Sequence, residues 1–191
     1  MISESLDELE KHKGELDYMY ASLTLDGMSI KELVEYCPDL KRTFGTVDYG
    51  QDVSMGETDK SKPANEALVA MLVGIKGNWK LPIGYFLING LKASILSGII
   101  RNCLILTYNI GMLVLNVTMD GTGHNVSALE KLGAKILVQE RIQMKTSFPH
   151  PNETAGYEVS VYLDPLHMFK LIRNTLADYK ELYWPGHGYI R

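Results

Sequence analysis

The chain has 191 residues, a length for one domain with a sizeable core, and its 46% hydrophobic and 22% charged composition is that of an ordinary globular protein. A formal net charge of −4 is not the footprint of a domain that grips a phosphate backbone unaided. The apolar windows at 67–75 and 99–115 are broken by Lys, Arg, Asn or Gly before reaching the ~20 residues of a membrane span, so no membrane partner is expected. The acidic N-terminus "MISESLDELEKHKGEL" does not read as a secretory signal. Cys37 and Cys103 lack metal-ligand spacing and are expected to be free thiols.

In chain order, residues 1–15 read as a short charged helix or tail, 16–182 as the folded core and 183–191 as a C-terminal tail. Tyr18 to Leu25 has strand character. The polar stretch from Asp39 to Glu66 holds one strand-like piece, "FGTVDYG", and a mobile loop is expected from Gly50 to Asn65. Two apolar runs, 67–75 and 81–88, join across Gly77 and Asn78 as a hairpin. Leu91, Ile95, Ile99, Ile100, Cys103 and Leu104 fall at helical spacing. Met112 to Met119 is a further strand. Asn125 is expected to cap a helix carrying Val126, Leu129 and Leu132 that Gly133 ends. Residues 136–138 suggest a short strand, and 139–157 a Pro-containing connection. Val159 to Leu163 is a strand, followed by a helix from Pro165 to about Leu182, stopped by Pro185 and Gly186. The order predicts an α/β fold: a mixed sheet with helices on both faces.

Three strands close on an aspartate: "SLTLDGMSIK", "NVTMDGTGHN" and "VSVYLDPLHM". Strand periodicity puts Tyr20, Ser22, Thr24 and Asp26 on one face, and Asn116, Thr118 and Asp120 likewise, opposite Leu113, Leu115, Val117 and Met119. In parallel neighbours these carboxylates converge at the C-terminal sheet edge, where open sheets with crossovers place ligand sites. The competing reading is a turn, since Asp-Gly is a common turn signal. The segments "MSIKELVEY" and "TGHNVSALEKL" look helical or irregular, which weakens a hairpin turn at Asp26 and Asp120. Asp164, followed by Pro165, reads instead as a helix cap. Carboxylates from separate strands suit Mg²⁺, and two such ions serve phosphoryl transfer. His124 reads as a surface residue, with a phosphate contact by His124 and Asn125 as the minority reading. Lys170 and Arg173, at i and i+3, read as a solvated helix face, again with a phosphate contact as the minority reading. Trp79, Tyr85 and Phe86 read as core around the hairpin, and Asp48 as an accessory carboxylate without independent support. "GTGHN" has neither the Walker lysine nor the dinucleotide-binding spacing.

Five blocks in order, "LTLDGMSIKELVEY", "FGTVDYG", "ALVAMLVGIKGNWKLPIGYFLI", "VTMDGTGHNVSALEKLGA" and "HPNETAGYEVSVYLDPLHMFKLIRNTL", resemble the catalytic region of P-element-type, THAP-domain transposases over about residues 18–180. The resemblance implies an RNase H-like fold with Mg²⁺ (or Mn²⁺) held by Asp26 and Asp120, the first two members of an acidic catalytic triad. It also implies metal-dependent DNA cleavage and strand transfer by the complete protein. The third member, a glutamate, lies in the family beyond an inserted GTP-binding domain, which the C-terminal end of this core would border; no residue here is assigned a GTP contact. Transposon DNA as partner, a homo-oligomer and the nucleus follow from the same resemblance. The alternative is an inactive, domesticated RNase H-like remnant that acts as an interaction domain.

Overall fold

The computed structural model describes residues 3–50, 61–137 and 141–190. The charged N-terminal stretch forms helix α1 (Ser3–Glu10), which is more than a tail because Leu6 and Leu9 are buried in the main core. One helical turn, α2 (Leu16–Met19), leads into β1 (Tyr20–Ser29). The segment after Asp26 is not helical. Strand β1 runs on to Ser29, and a small separate sheet pairs β2 (Glu35–Cys37) with β3 (Arg42–Phe44). Most of the expected 50–65 loop, residues 51–60, lies outside the described residues. Its far end is tied down, with Ala64 N donating to Gly45 O at 2.8 Å and Asn65 N to Ile88 O at 3.1 Å.

The expected hairpin forms from β4 (Glu66–Gly74) and β5 (Lys80–Ile88). Helix α3 (Ala93–Asn109), strand β6 (Leu113–Met119) and helix α4 (Gly123–Leu132) follow. Gly133 ends α4 in the left-handed conformation at φ 117°. The 139–157 connection contains a strand that the prolines obscure, β7 (Ser147–Pro149), whose Phe148 is fully buried. No strand starts at Ile136; Lys135 makes an isolated bridge to Lys145, and Val138 lies outside the described residues. Strand β8 (Glu158–Leu163) and helix α5 (Pro165–Tyr179) complete the main unit. Helix α5 stops short of Leu182 because Lys180 takes a left-handed φ of 62°. Beyond it β9 (Leu182–Trp184) and β10 (Gly188–Ile190) form a hairpin in place of the expected tail, closed by Pro185 and Gly186.

The fold is α/β, built on a six-stranded mixed sheet in the order β5-β4-β1-β6-β8-β7. Strand β1 is antiparallel to β4 and parallel to β6, and β6 is parallel to β8. Ala21, Leu23 and Leu25 point into the core with Val114, Val117, Val159 and Val161. There they meet Ile99, Ile100 and Leu104 of α3 and Leu129 of α4. The alternate residues Ser22, Thr24, Asn116 and Thr118 form a half-buried polar face, on which Asn116 Nδ2 donates to Ser22 Oγ at 2.7 Å.

Simple alternation places Leu115 on the buried face, and there the structure differs. The β1–β6 register shifts so that Ala21 faces Val114 while Ser22 faces Asn116. Leu115 is the extra residue of a bulge and is 36% exposed, with Val114 and Val117 taking the core positions. Cys37 and Cys103 are free thiols, and burial pushes the Cys103 thiol up to about 12. Among the described residues no helix is long and apolar enough to cross a membrane.

Candidate active site

The last paired residues of parallel neighbours β1 and β6 are Thr24 and Thr118. Asp26 and Asp120 stand the same distance further along (24 → 26, 118 → 120), on the polar face of each strand. A cleft of about 450 Å³ opens at this sheet edge, and Asp26, Asp120, Glu66, Asn125, His124 and His167 line it. The two aspartates singled out by strand periodicity therefore share one cavity.

Asp26 is not a turn residue. Strand β1 continues through it, pairing Asp26 with Val69 and Gly27 with Leu68 of β4. A side chain on Gly27 would overlap the Glu66 carboxylate, so glycine there lets Glu66 lean across β1 beside Asp26. Neither the Asp26 nor the Glu66 carboxylate accepts a hydrogen bond from any described residue. Sequence reasoning missed Glu66. It opens an apolar strand, where a glutamate carries no signal that separates it from an ordinary surface residue.

Asp120 is half-buried and does have local partners. Its Oδ1 accepts from Thr122 N at 3.3 Å, from Thr122 Oγ1 at 3.0 Å and from Asn125 Nδ2. Asn125 is thus not the cap of α4. Thr122 occupies that position with extended backbone, and Asn125 reaches back from the first turn to hold Asp120. His124 is exposed at the cleft rim.

Asp164 is the helix cap that its Asp-Pro context predicts. Its Oδ1 accepts from Leu166 N at 2.9 Å and its Oδ2 pairs with His167 Nδ1 at 2.7 Å. Two contacts dock this end of α5 beside Asp120. Asp164 N donates to Met119 O at 2.8 Å, and Met168 packs where a side chain on Gly121 would otherwise sit. His167 is held above the ordinary histidine value first by its hydrogen bond to Asp164, then by the negative charges of Asp164, Asp120 and Asp26. Asp164 is held below the usual carboxylate range by His167 and by the Leu166 N–H.

The remaining candidates lie elsewhere. Asp48 accepts from Gly50 N and pairs with Arg42 at 3.7 Å, away from the cleft. Phe86 is core, Trp79 is half-buried against Tyr18 with its indole N–H on Asp17 O, and Tyr85 is 49% exposed. Arg173 donates to Asn174.

Among the described residues no three His, Cys, Asp or Glu side chains are grouped closely enough to hold a metal ion. The cleft offers a pair of hard oxygen donors, Asp26 and Asp120. That donor set fits Mg²⁺, which binds through one or two carboxylates and keeps several waters.

This sheet order, with an aspartate near the C-terminal end of each of two parallel central strands, is that of an RNase H-like α/β domain. Residues 1–133 match the family model described as TNP-like, RNase H N-terminal domain, and the chain belongs to that family. It is 30% identical over 169 residues to DNA transposase THAP9 of Homo sapiens, an alignment covering 88% of this chain and 18% of that protein. It is 28% identical over 118 residues to the transposable element P transposase of Drosophila melanogaster, covering 61% and 14%. Its fold matches the Drosophila P element transposase strand transfer complex with a TM-score of 0.69 at 21% identity, over 97% of this chain and 35% of that one. The chain thus corresponds to part of a P-element-type transposase and spans less than a fifth of either curated relative.

Proposed function

We propose that the cleft at the β1–β6 edge is the metal-dependent phosphodiester site of a DNA transposase, acting in DNA cleavage and strand transfer in the complete protein. The observation that carries this reading is the convergence of Asp26 and Asp120 from parallel neighbouring strands on one cavity. In this reading both aspartates hold Mg²⁺ or Mn²⁺, and Thr122 and Asn125 keep the Asp120 carboxylate oriented. When bound, the metal neutralises charge and polarises a phosphodiester oxygen. A third carboxylate completes the site in the whole protein. Transposon DNA as partner, the nucleus as compartment, self-association as the working form and GTP as a ligand of an inserted domain belong to the same reading and rest on the family.

The rival, an inactive RNase H-like interaction domain, draws on the lack of a three-residue metal group among the described residues. A metal titration separates the two. A ligand that binds only the folded state at ten times its Kd adds about 1.4 kcal/mol. Millimolar Mg²⁺ or Mn²⁺ should therefore raise the melting temperature of this chain, and Asp26→Ala should remove the rise. A melting temperature indifferent to both metals would favour the interaction domain.

A further inference from the structure

Beside the carboxylate cleft lies a second, smaller pocket of about 130 Å³, lined by Asp120, Thr122, His167, Lys170 and Asn174 together with Gly121 and Leu171. Asp120, Thr122 and His167 line both cavities, so the two are contiguous. His167, Lys170 or Leu171, and Asn174 recur at helical spacing and present one face of α5 to the pocket. Each side chain carries a group to donate. Lys170 has no hydrogen bond or ion pair with any described residue, and three ammonium protons to give. Asn174 uses its oxygen to accept from Arg173, which leaves its amide N–H₂. His167 has Nδ1 engaged by Asp164, which leaves Nε2.

We propose that this pocket is a subsite for one phosphate of a polynucleotide backbone, held by Lys170 with His167 and Asn174, next to the phosphodiester that Asp26 and Asp120 would receive. The inference rests on the reading of the main cleft and deepens it. Size favours a lone phosphate group: cavities that enclose small molecules run ~300–1,000 Å³, so 130 Å³ does not take a whole nucleotide. Contiguity favours a polymer, because a strand crossing the larger cleft brings a neighbouring phosphate to Lys170. Charge favours an anion too. Asp164 answers His167, and a metal would answer Asp26 and Asp120, so among the described residues that line the pocket Lys170 is the cation left for the ligand.

The test uses this chain at low ionic strength with a short fluorescent DNA duplex, and with GTP as the competing source of phosphate. Lys170 is exposed, and alanine is compatible with a helix, so Lys170→Ala should fold. It should weaken DNA binding by about tenfold, as expected for a lost charge-assisted hydrogen bond, and lower the salt slope by about one. Lys170→Arg should restore most of both. The Mg²⁺-induced rise in melting temperature should be the same in Lys170→Ala as in the parent chain. That readout keeps the two readings apart: loss of the metal response with an intact Lys170 effect would sink the metal site and leave the subsite standing. An unchanged affinity and salt slope in Lys170→Ala overturns the subsite. So does DNA binding undetectable in the parent chain, or a Lys170→Ala defect confined to GTP.

Discussion

Asp120 holds the start of α4 and faces the cleft with the same carboxylate, whereas the Asp26 carboxylate accepts no hydrogen bond from the described residues. The two should separate on mutation. In metal-free solution Asp26→Ala should change stability by less than about 0.5 kcal/mol, as for an unpartnered surface side chain. Asp120→Ala should lower the melting temperature, because Thr122 and Asn125 lose their acceptor. Both should abolish the Mg²⁺ response, and equal metal-free stabilities would show that the Asp120 bonds are idle. The Asp164–His167 pair predicts a pH dependence. His167 is raised in the folded state, so its contribution is full below the ordinary 6.5 and is lost as pH rises through the higher folded value. Asp164 is depressed, so its contribution is full above the ordinary 3.8 and is lost as pH falls through the lower folded value. Both are at full strength together between about 3.8 and 6.5. A double-mutant cycle of Asp164→Ala and His167→Ala, followed by thermal melts across pH, should show its largest coupling in that window and less at pH 8. The local logic of Asp164 was legible because a cap and its proline are sequence neighbours. The Asn125-to-Asp120 bond was not, because it depends on where α4 starts.

At the scale of elements, what could be read from the sequence was whatever repeats along a single strand or helix. The β4–β5 hairpin, the parallel placement of β1, β6 and β8 and the positions of α3 and α5 all follow from apolar period and turn chemistry. What could not be read depends on a partner. Whether β1 stops at Leu25 or runs to Ser29 is decided by β4, which pairs Ala67 with Met28 and Glu66 with Ser29. Strand β7 is three residues long and owes its existence to the edge of β8. The bulge at Leu115 is likewise a property of two strands, and it reverses a mutational expectation. Leu23, fully buried in the central strand, should cost ~2–5 kcal/mol when changed to alanine. Leu115→Ala, which uniform alternation would rank beside it, should cost less than about 1 kcal/mol because the side chain is already 36% exposed. Urea unfolding of the two variants checks the order, and a large loss at Leu115 would mean that the bulge is absent in solution.

Among the described residues the main sheet shares a continuous buried core while helix α5 is lightly attached, and the candidate chemistry sits at their junction. Strands β1, β4 and β6 and helices α3 and α4 share one buried cluster, while α5 contributes no buried residue. Leu166, Phe169 and Ile172 of α5 are 78%, 70% and 57% exposed. What holds its first turn is the Asp164 N–Met119 O bond, the Asp164 cap and the seat of Met168 against Gly121. This explains why the aspartate pair was legible while the placement of His167 and Lys170 beside it was not: the first lie on strands whose faces the core fixes, the second on a helix placed by a few contacts. Local opening is easiest where few apolar contacts resist it. Amide exchange in α5 should therefore be fast and independent of global stability, whereas amides of β1 and β6 should exchange only on global unfolding. Gly121→Val should speed exchange in α5 further, since its side chain displaces Met168, and should leave β1 and β6 protected. If α5 is as slow as β1, the helix is bound far more tightly than its exposed face allows. His167 and Lys170 would then be fixed parts of the cleft wall and not groups carried on a loosely attached helix.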